Sequence, residues 1–416
     1  MLNFFIGAIV GFFLDKFFDF IWKKLNNYWF VVRKEKNAKK YSEVVASEDF
    51  IEFQTKVLMA YYGKENCLYL FERYYPAFIL YGDTTLSDPF NELNEPDNLC
   101  LTDKNYPFRE SHYYKKYKGV ISATIKRPLM QGYMLESFSY NSEGKIKGLS
   151  AWVGTYEENV YTSHILEYEI YRMYIKHRKN LSKADIESVA QKEMPIRNKI
   201  HENRPIANVL RSGCARASLL GVQMLILFKD KNGSYKVLVI KRSQDVAAKP
   251  GFIQFVPSGG FEVFENSDTH NKRELLENFS VKNALFREYV EELFGIEEFE
   301  FGQGGETINK VSNYSQVKEI QNMIDNGTAK FVFLGSAVDL TGLRHELSFA
   351  LVINDDRYCE NIFKSNSESK KIERYSFEDI EGIEEKHKIN PTSAALWKLF
   401  TESELYNEIT LPQKNN

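Results

Sequence analysis

The chain has 416 residues, of which 43% are hydrophobic and 27% are charged, and this composition is typical of a globular protein with two or more domains. The net charge of −3 provides no overall positive field, so we expect no bulk binding of nucleic acid. Four cysteines and seven histidines show no metal-ligand spacing. This argues against structural zinc, and the scattered cysteines indicate a reducing compartment.

The amino terminus departs from this average composition. Residues 2–14 (LNFFIGAIVGFFL) carry no charge, but this apolar stretch is shorter than the roughly 20 residues that a membrane span needs. Extending the helix to Trp22 gives the length and adds charged groups. We therefore predict a transmembrane or membrane-anchoring helix over residues 1–22, and an interfacial amphipathic helix stays open as the alternative. A cleavable signal peptide is disfavoured, because positive charges before the apolar stretch and a small-residue cleavage site after it are both missing.

One row of this predicted helix combines small and acidic residues. Four residues of the row recur at every fourth position: Gly7, Gly11, Asp15 and Asp19. Small residues at this spacing let two membrane helices approach closely, and acidic groups within a membrane segment face other helices or water. The pattern predicts self-association, so we expect a homo-oligomer.

Positive charge is concentrated directly after the apolar segment. Residues 23–40 contain seven Lys or Arg residues and one acid. By the positive-inside rule, the bulk of the chain is then cytoplasmic. We assign residues 23–43 to a basic juxtamembrane linker and expect the protein at the bacterial inner (cell) membrane, with its main body in the cytoplasm.

Residues 44–210 match no pattern that we recognise and are predicted to form an α+β region. A helix is expected to begin near Ser47 and Asp49, and residues 164–177 are expected to form another. The stretch SYNSEGKIKG, within residues 132–154, indicates a hairpin with a polar turn. The tyrosines around the second helix favour a core position, and a nucleobase-stacking wall is the open alternative.

Strand patterns dominate the next part of the chain. GVQMLILF (221–228) and YKVLVIKR (235–242) flank a polar turn and indicate an apolar hairpin, and KFVFLGS (330–336) and HELSFALVI (345–353) indicate two later strands. Arg211 and Arg216 precede the hairpin and are expected in a solvated linker, with a phosphate contact as the alternative.

Three carboxylates fall on one side of a predicted helix. Glu288, Glu291 and Glu292, in ALFREYVEELFGI (284–296), are spaced i, i+3 and i+4, which brings their side chains within about 5–6 Å of one another. Like charges at this spacing repel unless a cation lies among them, and such oxygen ligands suit Mg²⁺ or Mn²⁺. The open alternative is an amphipathic helix whose solvated side carries these glutamates.

Together with FVPSGGFE (255–262), this helix resembles the Nudix box, the loop–helix–loop motif of the Nudix hydrolase family. The resemblance identifies the motif residues as Gly259 and Gly260 in the turn that contacts the ligand, Arg287 as the arginine that supports the glutamates and contributes to ligand binding, Glu288, Glu291 and Glu292 as ligands of Mg²⁺ or Mn²⁺, and Gly295 as the residue that ends the helix.

The sequence departs from the family's pattern in three places. The spacer between Gly260 and Arg287 holds 26 residues and is longer than the family's, Phe294 is an additional residue before the last glycine, and the turn reads PSGG instead of PGG. We expect the polar insertion at 266–283 to loop out. Glu265 is then the nearest candidate for the family's spacer glutamate.

The resemblance implies a Nudix-type α/β/α sandwich with a mixed sheet over residues 211–365, in a protein of the α+β class. It also implies a metal-dependent pyrophosphatase that cleaves nucleoside diphosphate-linked compounds. Glu291 and Glu292 are then the candidate catalytic residues, with Glu346 as an additional carboxylate from a later strand. Arg242, at the end of its strand, resembles the family's phosphate-facing arginine.

Residues 366–416 are predicted to form a helical extension of the Nudix-like region. Asn390 and Pro391 are suited to the first positions of a helix. The apolar residues that follow are expected to pack against the Nudix-like region.

The order of segments resembles a second group of proteins, the membrane-Nudix effectors of CBASS, which are bacterial anti-phage systems driven by cyclic oligonucleotides. This resemblance implies a receptor that binds a nucleotide or cyclic oligonucleotide, oligomerises and perturbs the membrane. The effector role is our first hypothesis. A Mg²⁺-dependent pyrophosphatase and a membrane-tethered enzyme that clears nucleotides are the alternatives, so the sequence leaves open whether the site is catalytic.

Overall fold

The structure is a computed structural model that describes residues 35–93, 98–100, 112–121, 130–178, 183–242, 251–263, 272–296, 311–364, 369–383 and 388–410. The predicted membrane helix (1–22), the first part of the predicted linker (23–34) and Glu265 lie outside these residues. Within the described part of the chain, no helix has both the length and the apolar character needed to cross a membrane.

The helices and strands are numbered in chain order. The helices are α1 (35–45), α2 (Glu48–Tyr62), α3 (Pro89–Glu92), α4 (His112–Ile121), α5 (Tyr156–Asn159), α6 (Ile165–His177), α7 (Lys183–Glu193), α8 (Pro195–His201), α9 (Ile206–Leu210), α10 (Lys272–Asn278), α11 (Val281–Phe294), α12 (Ser315–Asp325), α13 (Pro391–Thr401) and α14 (Glu404–Thr410). The strands are β1 (Leu68–Leu70), β2 (Arg73–Tyr75), β3 (Ala77–Tyr81), β4 (Leu99–Cys100), β5 (Gln131–Tyr140), β6 (Ile146–Thr155), β7 (Gly221–Lys229), β8 (Tyr235–Arg242), β9 (Ile253–Phe255), β10 (Ser258–Gly260), β11 (Ala329–Asp339), β12 (Arg344–Ile353) and β13 (Ser369–Ser376).

A mixed sheet forms the centre of the molecule. Its strand order is β13–β8–β7–β12–β11–β3, with β10 paired to β7 and β9 paired to β8. The β7–β12 pair is parallel, and the other pairs in this sheet are antiparallel. β7 is apolar along almost its whole length because it lies inside the sheet and is covered on both faces. The predicted α+β class, the mixed sheet and the strands predicted at these positions are confirmed.

Helices cover both faces of this sheet. Because side chains alternate along a strand, Val222 and Leu347 pack in the same core as α11, whereas Leu225 and Ala350 pack in the same core as α13. We call these two sides the α11 face and the α13 face. Asn390 caps α13 and Pro391 is its first residue, as predicted, and the helix packs against the sheet, as predicted.

A second core lies among the helices that precede the sheet. Tyr161, Tyr168 and Tyr174 are buried in it, and Tyr156 and Tyr171 pack against it. The expectation that these tyrosines belong to a core is confirmed. Ser47 caps α2, and the hairpin β5–β6 forms with a polar turn, also as predicted.

Strand pairing connects residues 44–210 to the predicted Nudix-like region. β3 joins the central sheet beside β11, where a Cβ on Gly335 would lie 2.0 Å from the carbonyl oxygen of Leu80. β5 runs beside residues 261–263, with Tyr133 N donating to Phe261 O at 2.9 Å and Val263 N donating to Gln131 O at 2.9 Å. The region therefore supplies an edge strand and fixes the chain just after the double glycine.

The expectation that residues 266–283 loop out is wrong for the described part of this segment. Its residues form α10 and the start of α11. Leu275 and Phe279 are buried in the main core, and the Phe279 ring stacks on Phe261 at 5.6 Å between centroids. These two apolar side chains hold an otherwise polar stretch against the sheet.

The expectation that Arg216 is solvated is also wrong. Its side chain is fully buried, and its guanidinium donates to the carbonyl oxygens of Leu343, Cys214 and Ser212 at 3.1, 3.1 and 2.8 Å. Burial of a charge is tolerated here because backbone carbonyls accept from it. The segment predicted as a helical extension begins with a strand, β13, which pairs with β8.

Candidate functional site

The helix that carries the three predicted glutamates has defined ends. Ser280 Oγ accepts a hydrogen bond from Asn283 N at 3.2 Å and caps its start. Gly295 ends the helix in the left-handed conformation (φ 64°), which glycine adopts without steric cost. The prediction for Gly295 is confirmed, and the helix presents its glutamates toward β10.

Arg287 joins the helix to the double glycine. Its side chain is buried, and its Nη2 donates to Gly260 O at 2.9 Å and to Glu288 Oε1 at 2.5 Å. Its Nη1 donates to Glu262 Oε2 at 3.2 Å. The guanidinium therefore supports both the turn and two carboxylates, which agrees with the supporting role predicted for it.

Gly259 makes room for Glu288. A Cβ at this position would lie 1.9 Å from the carboxyl carbon of Glu288. No side chain larger than hydrogen is compatible with that approach, so the glycine is required by the position of the carboxylate.

Glu292 and Glu291 differ in their surroundings. Glu292 is buried, and its Oε2 accepts a hydrogen bond from the backbone N–H of Ser258 at 2.7 Å. Glu291 is partly exposed. The helix thus holds one carboxylate against the turn of β10 and directs another toward solvent.

Four carboxylates lie near one guanidinium. Burial raises the pKa of Glu288; Arg287 opposes this shift, and the charges of Glu291, Glu292 and Glu262 raise the pKa further. Burial opposes the charge of Arg287, but the carboxylates of Glu288, Glu291 and Glu262 outweigh it and raise its pKa. The local charge is negative, and this favours a cation.

The donor set suits Mg²⁺ or Mn²⁺, which prefer carboxylate oxygens. In the described residues, however, no three His, Cys, Asp or Glu side chains are grouped so that they could hold a metal ion together. Glu288 accepts from Arg287, and Glu292 accepts from the turn. Metal binding by these glutamates stays a prediction.

Glu346 lies on the α13 face, away from the α11 glutamates. It is in register with Gly221 of β7, where a Cβ would lie 1.7 Å from Glu346 Oε2. Its Oε1 is 3.2 Å from Arg344 Nε. Burial raises the pKa of Glu346 to about 7, against the opposing charge of Arg344. The structure does not bring Glu346 into the carboxylate group on α11, and its catalytic role stays a prediction.

Arg242 ends β8, as predicted, and its Nη1 donates to Gln254 Oε1 at 3.0 Å. Its charge acts on Glu346, whose pKa it lowers. The phosphate-facing role of Arg242 stays a prediction.

The sequence analysis missed Glu262 and Arg344. Glu262 follows the double glycine by two residues, and its Oε2 forms an ion pair with Nη1 of Arg287 at 3.2 Å. Its position within the FVPSGGFE motif is the sequence feature that could have identified it. Arg344 stands two residues before Glu346, so its strand periodicity places both on the same face.

Protein-family models gave no match, and curated proteins gave none either. Solved structures that the chain resembles include a Nudix hydrolase from M. smegmatis, with 11% identity, a TM-score of 0.25, and coverage of 48% of this chain and 91% of that chain. For a Nudix hydrolase from Alicyclobacillus acidocaldarius, the identity is 14%, the TM-score is 0.25, and the coverages are 44% and 90%.

A third solved structure is a bifunctional NMN adenylyltransferase/ADP ribose pyrophosphatase from Francisella tularensis, complexed with AMP and a Mn ion. Its identity to this chain is 11%, the TM-score is 0.27, and the match covers 56% of this chain and 52% of that one. TM-scores and identities this low carry no argument about the site. The proposals below therefore rest on the contacts within this chain.

Proposed function

We propose that the chain is a Nudix-type pyrophosphatase that cleaves nucleoside diphosphate-linked compounds with the help of Mg²⁺ or Mn²⁺. The observation that carries this proposal is the group of four carboxylates on α11 and after the double glycine: Glu262, Glu288 and Glu291 act on the guanidinium of Arg287, and Glu292 acts on Glu288. One guanidinium offsets one of these negative charges. A divalent cation would offset two more, and it would be attracted to a site that already places carboxylates beside a glycine turn.

The residues of the chain have separable roles in this proposal. A bound metal would neutralise charge on the diphosphate oxygens. Glu291 and Glu292 would be its ligands with Glu288, and one of the two would accept the proton of the attacking water. Arg287 holds Glu288 against the turn, and Gly259 lets the carboxylate lie there. Arg242 would face the phosphates.

The experiment replaces Glu291 and Glu292 by glutamine in the full chain. We expect Mn²⁺ to raise the melting temperature of the unchanged protein, since a ligand that binds only the folded state stabilises it. The double variant should fold and lose this metal response. It should also no longer release a nucleoside monophosphate from a panel of nucleoside diphosphate-linked compounds, and excess chelator should abolish that activity in the unchanged protein.

A matched control removes the same charge elsewhere. Glu52 and Glu381 are exposed, and their replacement by glutamine should leave the metal response intact. An unchanged response in the Glu291→Gln, Glu292→Gln protein would remove the basis for the site. Ligand binding without cleavage of any compound would favour a receptor over an enzyme.

The effector role is a second candidate, and the attachment of α1 supports it. In the sequence, the basic tract follows the apolar segment, and α1 contains the last part of this tract. Tyr41 of α1 donates to Glu167 Oε2 of α6 at 3.1 Å, and its ring lies 4.9 Å from the Tyr171 ring and 5.9 Å from the Tyr168 ring. A helix anchored in this way would transmit a change in the body of the protein to a membrane segment. In this proposal the body binds a nucleotide or cyclic oligonucleotide, and the homo-oligomer perturbs the bacterial inner membrane.

The test of this second candidate is the variant Gly7→Leu with Gly11→Leu. Leucine would block close helix approach without lowering hydrophobicity. We expect the full chain to remain with membranes after a carbonate wash but to lose oligomerisation and ligand-triggered toxicity. Recovery of the unchanged protein in the soluble fraction after the same wash would refute the membrane anchor, and the effector role with it.

A further inference from the structure

Glu346 has one carboxylate oxygen without a partner. Its side chain is 10% exposed, and Oε1 faces Arg344 Nε at 3.2 Å. Oε2 is buried and accepts no hydrogen bond within the described residues. A buried acceptor without a donor is costly, and such an atom can accept from a group outside the chain, such as a water molecule or a ligand.

The surrounding chain is built to hold this carboxylate in place. Gly221 leaves the space that Glu346 Oε2 fills, because a Cβ there would lie 1.7 Å from that atom. Arg344 is 23% exposed, and its Nη2 lies 3.5 Å from Gly259 O. The Glu346–Arg344 pair therefore touches the double glycine from the α13 face, while Arg287 and Glu288 touch it from the α11 side.

The charged groups that act on Glu346 differ from those that act on Glu288. Arg344, Asp339 and Arg242 shift the pKa of Glu346, whereas Arg287 and the other carboxylates near α11 shift that of Glu288. A base for the proposed reaction should stand among the metal ligands and the attacking water. Glu346 lies instead on the α13 face, beside Gly221 and Arg344.

We propose that Glu346 and Arg344 form a ligand-binding subsite for the nucleoside part of the ligand. The carboxylate accepts hydrogen bonds from a donor group, either an amino group of the base or hydroxyls of the sugar, and Arg344 holds the carboxylate in place. This inference rests on the proposed function, since the diphosphate at α11 brings the nucleoside to the turn. It makes Glu346 a specificity residue and not a base.

The test compares pyrophosphate with the four common nucleoside 5′-diphosphates, each with and without Mn²⁺, as titrations of the full chain by calorimetry. We expect at least one nucleotide to bind the unchanged protein more tightly than pyrophosphate does. Glu346→Gln should weaken the affinity for that nucleotide by about tenfold, which is the scale of one charge-assisted hydrogen bond. Pyrophosphate affinity should stay within about twofold, because no phosphate oxygen contacts Glu346 in this proposal.

Two further arms identify the donor and guard against misfolding. Loss of the preference for ribose over 2′-deoxyribose in Glu346→Gln would place the donors on the sugar, and loss of the preference among bases would place them on the base. Glu346→Asp keeps the acceptor with a shorter reach and should retain part of the nucleotide preference. Glu373→Gln, which changes a partly exposed glutamate at the sheet edge, should bind all probes like the unchanged protein.

Three results would overturn the subsite. The first is equal affinity of the unchanged protein for pyrophosphate and for every nucleotide. The second is an equal loss of pyrophosphate affinity and nucleotide affinity in Glu346→Gln, and the third is no loss of either affinity. The proposed function fails differently. If pyrophosphate with Mn²⁺ does not bind while a nucleotide binds without metal in a Glu346-dependent way, the subsite stands and the metal site falls.

Discussion

Two groups of buried charges in this chain are organised in opposite ways. In the helical core, Arg197 is fully buried and donates to Leu340 O at 2.8 Å, Thr341 O at 2.6 Å and Tyr62 Oη at 2.7 Å. Its partners include two neutral carbonyls. At the double glycine, Arg287 is buried beside the carboxylates of Glu262, Glu288 and Glu291, and Glu292 acts on Glu288. Neutral oxygen atoms hold the Arg197 guanidinium through Nη1 and Nη2, whereas the group around Arg287 keeps an excess of negative charge.

The difference separates a structural role from a binding role. Arg197 holds the turn between β11 and β12, where Leu340 and Leu343 enter the helical core. Arg216 and Ser218 also donate to Leu343 O, at 3.1 and 3.2 Å. This turn leads directly into Arg344, so residues 44–210 fix the start of the strand that carries Glu346. The excess negative charge at α11 favours a cation, whose binding stays a prediction.

The largest expected effect is the loss of the Arg197 guanidinium. Arg197→Met should lower the free energy of unfolding by about 3–5 kcal/mol, because the two carbonyls and the tyrosine hydroxyl stay buried without their donor. Denaturant unfolding would measure it, with or without Mn²⁺. The contrasting arm is Glu291→Gln, which should change the metal-free stability by no more than about 0.5 kcal/mol, because the lost attraction to Arg287 is offset by the relief of repulsion from Glu288.

A loss of stability in Glu291→Gln as large as that in Arg197→Met would contradict the comparison. It would mean that the carboxylates at α11 support the fold in the same way as the buried arginine. The comparison would also be contradicted if the loss of stability in Arg197→Met depended on Mn²⁺.

A smaller effect is expected from Glu169, which accepts from the backbone N–H groups of Ile196 and Arg197 at 2.5 and 3.1 Å. Burial raises its pKa to about 7, against these hydrogen bonds and the charge of Arg197. The folded state therefore binds the proton more tightly than the unfolded state does. The associated stability is present below the unfolded pKa of about 4.3 and is lost as the pH rises to about 7, by up to about 3 kcal/mol.

The measurement is the free energy of unfolding between pH 4 and pH 8 for the unchanged protein and for Glu169→Gln. We expect the fall in stability between about pH 4.5 and 7 to be shallower in the variant. Identical pH profiles for the two proteins would show that burial does not raise this pKa, and that hydrogen bonds to the carboxylate compensate for it fully.

Much of the fold near the site could be predicted because its signals are local. The continuous apolar run of β7 is typical of a strand covered on both faces, and the Asn390–Pro391 pair is typical of a helix start. The i, i+3 and i+4 spacing of Glu288, Glu291 and Glu292 fixes their shared side on α11 whatever surrounds the helix. Gly295 then fixes where that side ends.

Only the tertiary structure decided which distant groups meet. Glu262 can pair with Arg287 because β5 holds residues 261–263 in place. The contact between β5 and residues 261–263 joins parts of the chain that are more than 100 residues apart. Glu346 lies on the α13 face because β12 pairs with β7 in the register that sets it over Gly221. A shift of one residue would turn it to the other face. The spacing of residues along the chain determines which side chains share one side of a helix. Strand register determines which residues of other strands lie next to each other, and register depends on contacts that no short motif contains.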